Sequence, residues 1–134
     1  MKEHEMPASG TFCWNELTTK DADSAKKFYT ELLGWQLKDS QAAPGMGYSE
    51  IVAGGEHIGG IFQMGQEFGD APSHWMAYVA VDDVDEKARK VGELGGKVCV
   101  PPTDIPNVGR FCVIDDPTGA KLSLIKLSEH DWKE

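Results

Sequence analysis

The chain repeats itself at an offset of 62 residues. Asp21-Ala22-Asp23 returns as Asp83-Val84-Asp85, Lys27 as Arg89, and Glu31-Leu32-Leu33-Gly34 as Glu93-Leu94-Gly95-Gly96, without a gap. Both copies follow an apolar-aromatic run, Phe12-Cys13-Trp14-Asn15-Glu16-Leu17 and His74-Trp75-Met76-Ala77-Tyr78-Val79. A fixed internal period marks one supersecondary unit used more than once. Two copies imply a pseudo-symmetric domain with a site between its halves rather than a solenoid. Each copy is also a template for reading the other.

The pattern between these anchors predicts the elements. Thr11 to Leu17 alternates as a strand, with Phe12, Trp14 and Glu16 on one face and Cys13, Asn15 and Leu17 on the other. Asp21 is a good N-cap for a helix over Ser24 to Leu33, whose apolar face is Ala25, Phe28, Tyr29, Leu32 and Leu33; Gly34 ends it. Trp35 to Lys38, Tyr48 to Ala53 and Ile58 to Met64 read as strands, divided by a loop at Ser40 to Gly47 and a turn at Gly54-Gly55-Glu56-His57. The second copy gives a strand at His74 to Val81, a helix at Val84 to Leu94, and strands at Lys97 to Val100, Gly109 to Ile114 and Lys121 to Leu127. Pro101 to Asn107 reads as a rigid loop, and Asp115-Asp116-Pro117-Thr118-Gly119 as a turn. The expected fold is α+β: two βαβββ modules, 10–65 and 73–128, in one domain over 10–128. A linker at 66–72 joins them, and 1–9 and 129–134 are tails.

Bulk properties bound the function. An apolar fraction of 40% and four tryptophans in 134 residues argue for a packed core over disorder. No apolar run approaches the length of a membrane span and no secretory leader is visible, so a soluble, cytoplasmic protein is expected. Cys13, Cys99 and Cys112 are scattered and odd in number, which suits reduced thiols. A net charge of −9 without a basic stretch excludes nucleic acid and anionic membrane as partners and leaves a neutral or cationic small molecule open.

The order of elements resembles the vicinal oxygen chelate (VOC) superfamily, which includes glyoxalase I, bleomycin-resistance and fosfomycin-resistance proteins and extradiol dioxygenases. Three stretches carry the likeness: Asp21-x-x-x-Ala25-x-x-Phe28-Tyr29-x-x-Leu32-Leu33-Gly34-Trp35; Val81-x-Asp83-Val84-Asp85 with Leu94-Gly95-Gly96; and Gly109-Arg110-Phe111 leading into Asp116-Pro117-x-Gly119. It covers about Thr11 to Leu127. These residues serve packing and turning, so they speak for the fold and not for the activity.

The resemblance implies a curved sheet built from two modules, with a metal in its concavity held from the first and last strands of each. It places those ligands at Trp14, Met76 and Ser123, and the repeat adds Ile61, to within one or two positions. None is a normal ligand for zinc, nickel or iron. The expectation is therefore a small-molecule site without the family metal and without a cofactor. It is lined by Phe12, Trp14, Met76, Tyr78, Cys112 and Ser123. Trp14 and Met76 either fill the hollow or line a pocket for a ring-bearing ligand. Trp75, Val79 and Val81 should face the second helix, and Trp35 should staple the first helix to its sheet.

Glu16, Glu50 and His74 are the candidates for acid–base work. Against each stands a plainer role: Glu16 reaching solvent at a strand end, Glu50 on an undecided face, His74 hydrogen-bonded at the start of its strand. His57 reads as a solvated turn residue. Asp82-Asp83 and Asp115-Asp116 read as capping and turn chemistry. Three functions remain: a metal-independent binding protein, a glyoxalase-like lyase, isomerase or hydrolase with an unusual metal or carboxylate/His site at Glu16, Glu50 and His74, or a filled module kept for protein association. Relatives of this size pair, so a homodimer is expected.

Overall fold

A computed structural model of the protein describes residues 6–39, 47–66, 69–105 and 108–128. The loop at 40–46, residues 67–68 of the expected linker, 106–107, and the tails with His4 and His130 lie outside these. The described residues form eight strands and two helices in the order β1 (Phe12–Thr19), α1 (Ala22–Leu33), β2 (Gln36–Asp39), β3 (Tyr48–Ala53), β4 (Glu56–Gln63), β5 (His74–Ala80), α2 (Val84–Glu93), β6 (Lys97–Ile105), β7 (Gly109–Asp115) and β8 (Lys121–Leu127). This is an α+β chain of two βαβββ repeats. It divides into two compact units, the first spanning Trp14–Met76 and the second Met1–Cys13 with Ala77–Glu134. Among the described residues no helix is long and apolar enough to cross a membrane.

In the first unit the strands run β2-β3-β4-β1, with β1 parallel to β4 and the other pairs antiparallel. The Asp21 carboxylate caps α1 by accepting from the Ser24 amide at 3.1 Å, and Gly34 closes the helix at φ 72°. Gln63 fixes the entry to the helix: its carbonyl accepts from the Ala22 amide at 2.8 Å and its amide donates to the Lys20 carbonyl at 2.8 Å. Leu17, Ala22, Ile51 and Ile61 form the core under α1, with Ala25, Tyr29, Trp35 and Leu37 packed against it. The expected apolar face of α1 is wider than this contact. Phe28, Leu32 and Leu33 remain more than half exposed.

In the second unit the order is β5-β8-β7-β6, again with one parallel pair, β5 with β8. Gly10 and Thr11 belong here, because Gly10 donates to the Ala80 carbonyl at 2.7 Å and Ala80 donates to that of Thr11 at 2.8 Å. Asp83 caps α2 by accepting from the Glu86 amide at 3.0 Å. Arg110 on β7 grips Asp85 with two hydrogen bonds of 2.8 and 2.9 Å and reaches Asp104 at 2.9 Å. That grip holds the Asp85 carboxyl below the usual carboxylate range. Asp116 accepts from the Thr118 amide and hydroxyl and from the Ala120 amide, which is turn chemistry.

The strands depart from expectation in two places. Pro101 and Pro102 do not break the chain into a loop; β6 runs through them to Ile105, with register shifts at Val98/Val100 and Val100/Thr103. Proline is tolerated there because β6 borders the unit's sheet on one side only and the bulges absorb the missing donors. The turn at Gly54-Gly55 is tighter than expected, and Glu56 and His57 already belong to β4.

Candidate functional site

Alternation on β1 turns Leu17 into the α1 core and Trp14 and Glu16 onto the opposite, open face of the first unit. In the strand register Glu16 on β1 and Glu50 on β3 each stand directly across from Gly60 on β4. Two inter-strand steps of about 4.8 Å therefore separate their α-carbons. A side chain at position 60 would stand between them, and glycine leaves that space to the ring of Tyr48. A Cβ built on Gly60 would lie 2.1 Å from the Tyr48 hydroxyl. Tyr48 pairs with Phe62 across the strands, their ring centroids 6.2 Å apart. The indole of Trp14 donates to the Tyr48 hydroxyl at 2.9 Å. Three rings and two carboxylates thus share one face. Glu16, Trp14, Tyr48 and Phe62 are all half-buried, and Glu16 is engaged with neighbouring groups.

His57 joins this face through a β-bulge. Ile51 pairs with Gly59, but Val52 pairs with His57, so Ile58 is skipped. In an unbroken ladder His57 would share the α1 side with Ile51. The extra residue moves it to the side of Glu50, where its Nδ1 and the Glu50 carboxylate make a close hydrogen bond. A proton donated from Nδ1 leaves the Nε2 lone pair facing outward, the arrangement of a carboxylate-oriented general base. The Glu50 side chain is 22% exposed and that of His57 45%. Nothing in the residue pattern announces the bulge, so the sequence alone puts His57 in a solvated turn.

The remaining expected residues spread out. His74 is half-buried, and its Nδ1 donates to the Pro72 carbonyl at 2.8 Å. Met76 is half-buried in the same strand of the first unit. Phe12, in the second unit, is 72% exposed rather than enclosed. Trp75 does not face α2; its ring packs edge-on to Tyr29 and Trp35 in the first unit. Cys112 does not reach an open face. It is fully buried in the α2 core with Val81, Val84 and Leu124, and burial pushes its thiol up in pKa. Tyr78 and Ser123 stand opposite each other in register on the face away from α2. Both are buried, and the Ser123 hydroxyl has no hydrogen-bond partner.

The register also corrects the fourth family position. Leu17 pairs with Ile61 and its repeat Val79 pairs with Leu124, so the offset in the last strands is 63, not 62. Ile61 belongs to the α1 core, and the true counterpart of Ser123 is Gly60. The four positions then read Trp14, Gly60, Met76 and Ser123. An indole, a bare backbone, a thioether and a hydroxyl do not fit the family's metal. Among the described residues no group of three or more His, Cys, Asp and Glu is placed to hold one.

The sequence model of the Glyoxalase/Bleomycin resistance protein/Dioxygenase superfamily matches residues 12–124. CFP32 of Mycobacterium bovis and Mycobacterium tuberculosis, provisionally named a glyoxylase, is 42% identical over 118 residues, covering 88% of this chain and 44% of that protein. The anthracycline biosynthesis protein DnrV of Streptomyces peucetius is 27% identical over 129 residues, 87% of this chain and 47% of its own length. The chain thus spans less than half the length of these curated relatives. Methylmalonyl-CoA epimerase from Mycobacterium tuberculosis has a similar fold, with TM-score 0.61 at 17% identity, covering 94% of this chain and 95% of that one.

Proposed function

Because the chain belongs to the Glyoxalase/Bleomycin resistance protein/Dioxygenase superfamily, we propose that it binds a small, partly apolar and cationic molecule on the open face of its first unit, without the family metal. The observation that carries this reading is the pairing of rings with carboxylates: Trp14, Tyr48 and Phe62 beside Glu16 and Glu50. Aromatic faces attract cations, most strongly where water is partly excluded, and the carboxylates and the net charge of −9 add to that attraction. The name of DnrV, which refers to a ring-bearing class of molecules, is in keeping with a ring-bearing ligand. The test is titration of the 15N-labelled protein with benzyltrimethylammonium. The Trp14 indole signal shifts saturably, and Glu50→Gln weakens binding by about tenfold, the equivalent of one charge-assisted contact. No shift at Trp14, or equal affinity for uncharged benzyl alcohol, contradicts the proposal.

A second reading rests on Glu50 and His57. An imidazole oriented by a carboxylate suits proton transfer, and the glyoxylase name of CFP32 points the same way. Turnover of the methylglyoxal–thiol adduct that falls at least a hundredfold in His57→Gln, with benzyltrimethylammonium still bound, would select this reading. Of the other residues expected to be catalytic, Glu16 belongs to the binding face in this proposal, and His74, committed to Pro72, has no part in it. The proposal retains a cytoplasmic homodimer. The exposed Phe28 and Leu32 of α1 support association, and a sedimentation mass near the 14.7 kDa monomer at micromolar concentration counts against it.

A further inference from the structure

We infer that the first unit carries a second small-molecule site, on the α1 side of its sheet, which takes a neutral planar aromatic ring with a polar edge. A cleft of about 340 Å³ opens there, lined by Asn15, Trp35, Ile51, Ile58, Gly59 and Trp75. That volume falls within the few hundred cubic ångströms of small-ligand sites, and the lining has their usual character, mostly apolar with one polar side chain.

The walls are set in advance. Trp35 and Trp75 stand at 80° to each other with centroids 6.1 Å apart. One residue holds both: Tyr29 stacks on Trp35 at 5.3 Å and meets Trp75 edge-on at 5.5 Å. The Tyr29 hydroxyl also accepts from the Trp75 indole at 3.3 Å. Rings fixed in this way lose little freedom when a further ring enters. The floor is flat backbone. A Cβ on Gly59 would lie 2.3 Å from the Asn15 carbonyl, so no side chain can rise there. The bulge at Ile51/Val52 leaves Ile58 unpaired at the rim. Trp75 is still 42% exposed and Ile58 37%, so the cleft is open rather than filled core.

The lining also sets the ligand's character. No charged side chain contributes to it. Asn15 offers an exposed amide that can both donate and accept, with no side-chain hydrogen bond among the described residues. The second unit has no equivalent. Its repeat positions carry Lys97 for Trp35, Ala77 for Asn15, and Lys121 and Leu122 for Ile58 and Gly59. The cleft therefore belongs to this sequence and not to the module as such. It is also separate from the open-face site, which lies across the sheet.

The test follows the indole N–H signals of Trp14, Trp35 and Trp75 in the 15N-labelled protein during titration with 2-naphthol. Trp35 and Trp75 should shift saturably while Trp14 stays in place. Asn15→Ala should weaken binding about five- to tenfold, the loss of one hydrogen bond. Trp75→Leu should abolish it while the Trp14 response to benzyltrimethylammonium survives, which shows that the unit is still folded. Each of three results overturns the inference: no saturable shift at Trp75, unchanged affinity in Asn15→Ala, or a Trp75 signal that moves with protein concentration alone, which would make the cleft a contact between copies. A failure of the open-face reading appears separately, at Trp14.

Discussion

The two units share one plan and differ in a row of three residues on the face away from their helices. In the first unit the row across β1, β4 and β3 is Glu16, Gly60, Glu50; in the second, across β5, β8 and β7, it is Tyr78, Ser123, Val113. The pairings at the row itself correspond, although β3–β4 carries a bulge at Ile51/Val52 that β7–β8 lacks and β6–β7 carries bulges that β2–β3 lacks. The first row has carboxylates at both ends, and its glycine admits the Tyr48 ring. The second is packed, with Tyr78 8% exposed and Ser123 0%.

Making the first row resemble the second should have the largest effect. Gly60→Ser places atoms where the Tyr48 ring lies and breaks its hydrogen bond to Trp14. Overpacking of this kind costs about 2 kcal/mol. Chemical denaturation should show that loss, and benzyltrimethylammonium binding should disappear with it. The converse change is smaller and of opposite sign. Ser123→Ala removes a buried hydroxyl without a partner and should raise stability by about 1 kcal/mol. A loss of stability would mean that the hydroxyl is satisfied in solution.

Both units should lose stability in acid, since Asp21 in the first is also held below the usual carboxylate range, by the Ser24 amide and hydroxyl. Asp85 and Asp116, in the second unit, are held below the usual carboxylate range, Asp85 chiefly by its hydrogen bonds to Arg110 and Asp116 chiefly by Thr118. A carboxylate with a depressed folded pKa contributes stability above its unfolded value, and that contribution is lost as the pH falls through the folded one. Asp85→Asn should therefore destabilise the protein at pH 7 and match wild type well below pH 4. A deficit that persists at low pH would assign the loss to packing. The smallest effect concerns the thiols, all three in the second unit and free. Burial raises Cys13 to about 11 and pushes Cys112 up as well, so at pH 8 a maleimide should label Cys99 first. Early labelling of Cys112 would show that the α2 core opens.

The repeat, the caps at Asp21 and Asp83 and the turn at Asp116 were legible because each is a local pattern with a local cause. The parity of β1 was legible too, since Leu17 is the buried partner that alternation predicts. Other features depend on pairing, which a lone strand does not display. The bulge that brings His57 to Glu50 is visible only once β3 and β4 are in register. The same is true of the shift from 62 to 63 that replaces Ile61 by Gly60. Cys112 was misplaced because Phe111, Cys112, Val113 and Ile114 are all apolar and give no alternation to read. Pro101 and Pro102 suggested a loop because nothing in the sequence says that β6 borders its sheet.

One comparison decides whether the proposed cation-binding aromatic face works without metal. Benzyltrimethylammonium affinity would be measured calorimetrically on protein stripped with chelator and on the same protein given one equivalent of Mn(II). Equal affinities within error are expected, with less than about a tenth of an equivalent of metal retained after desalting, by elemental analysis. Binding that appears only with the metal, together with one equivalent retained, would contradict the proposal.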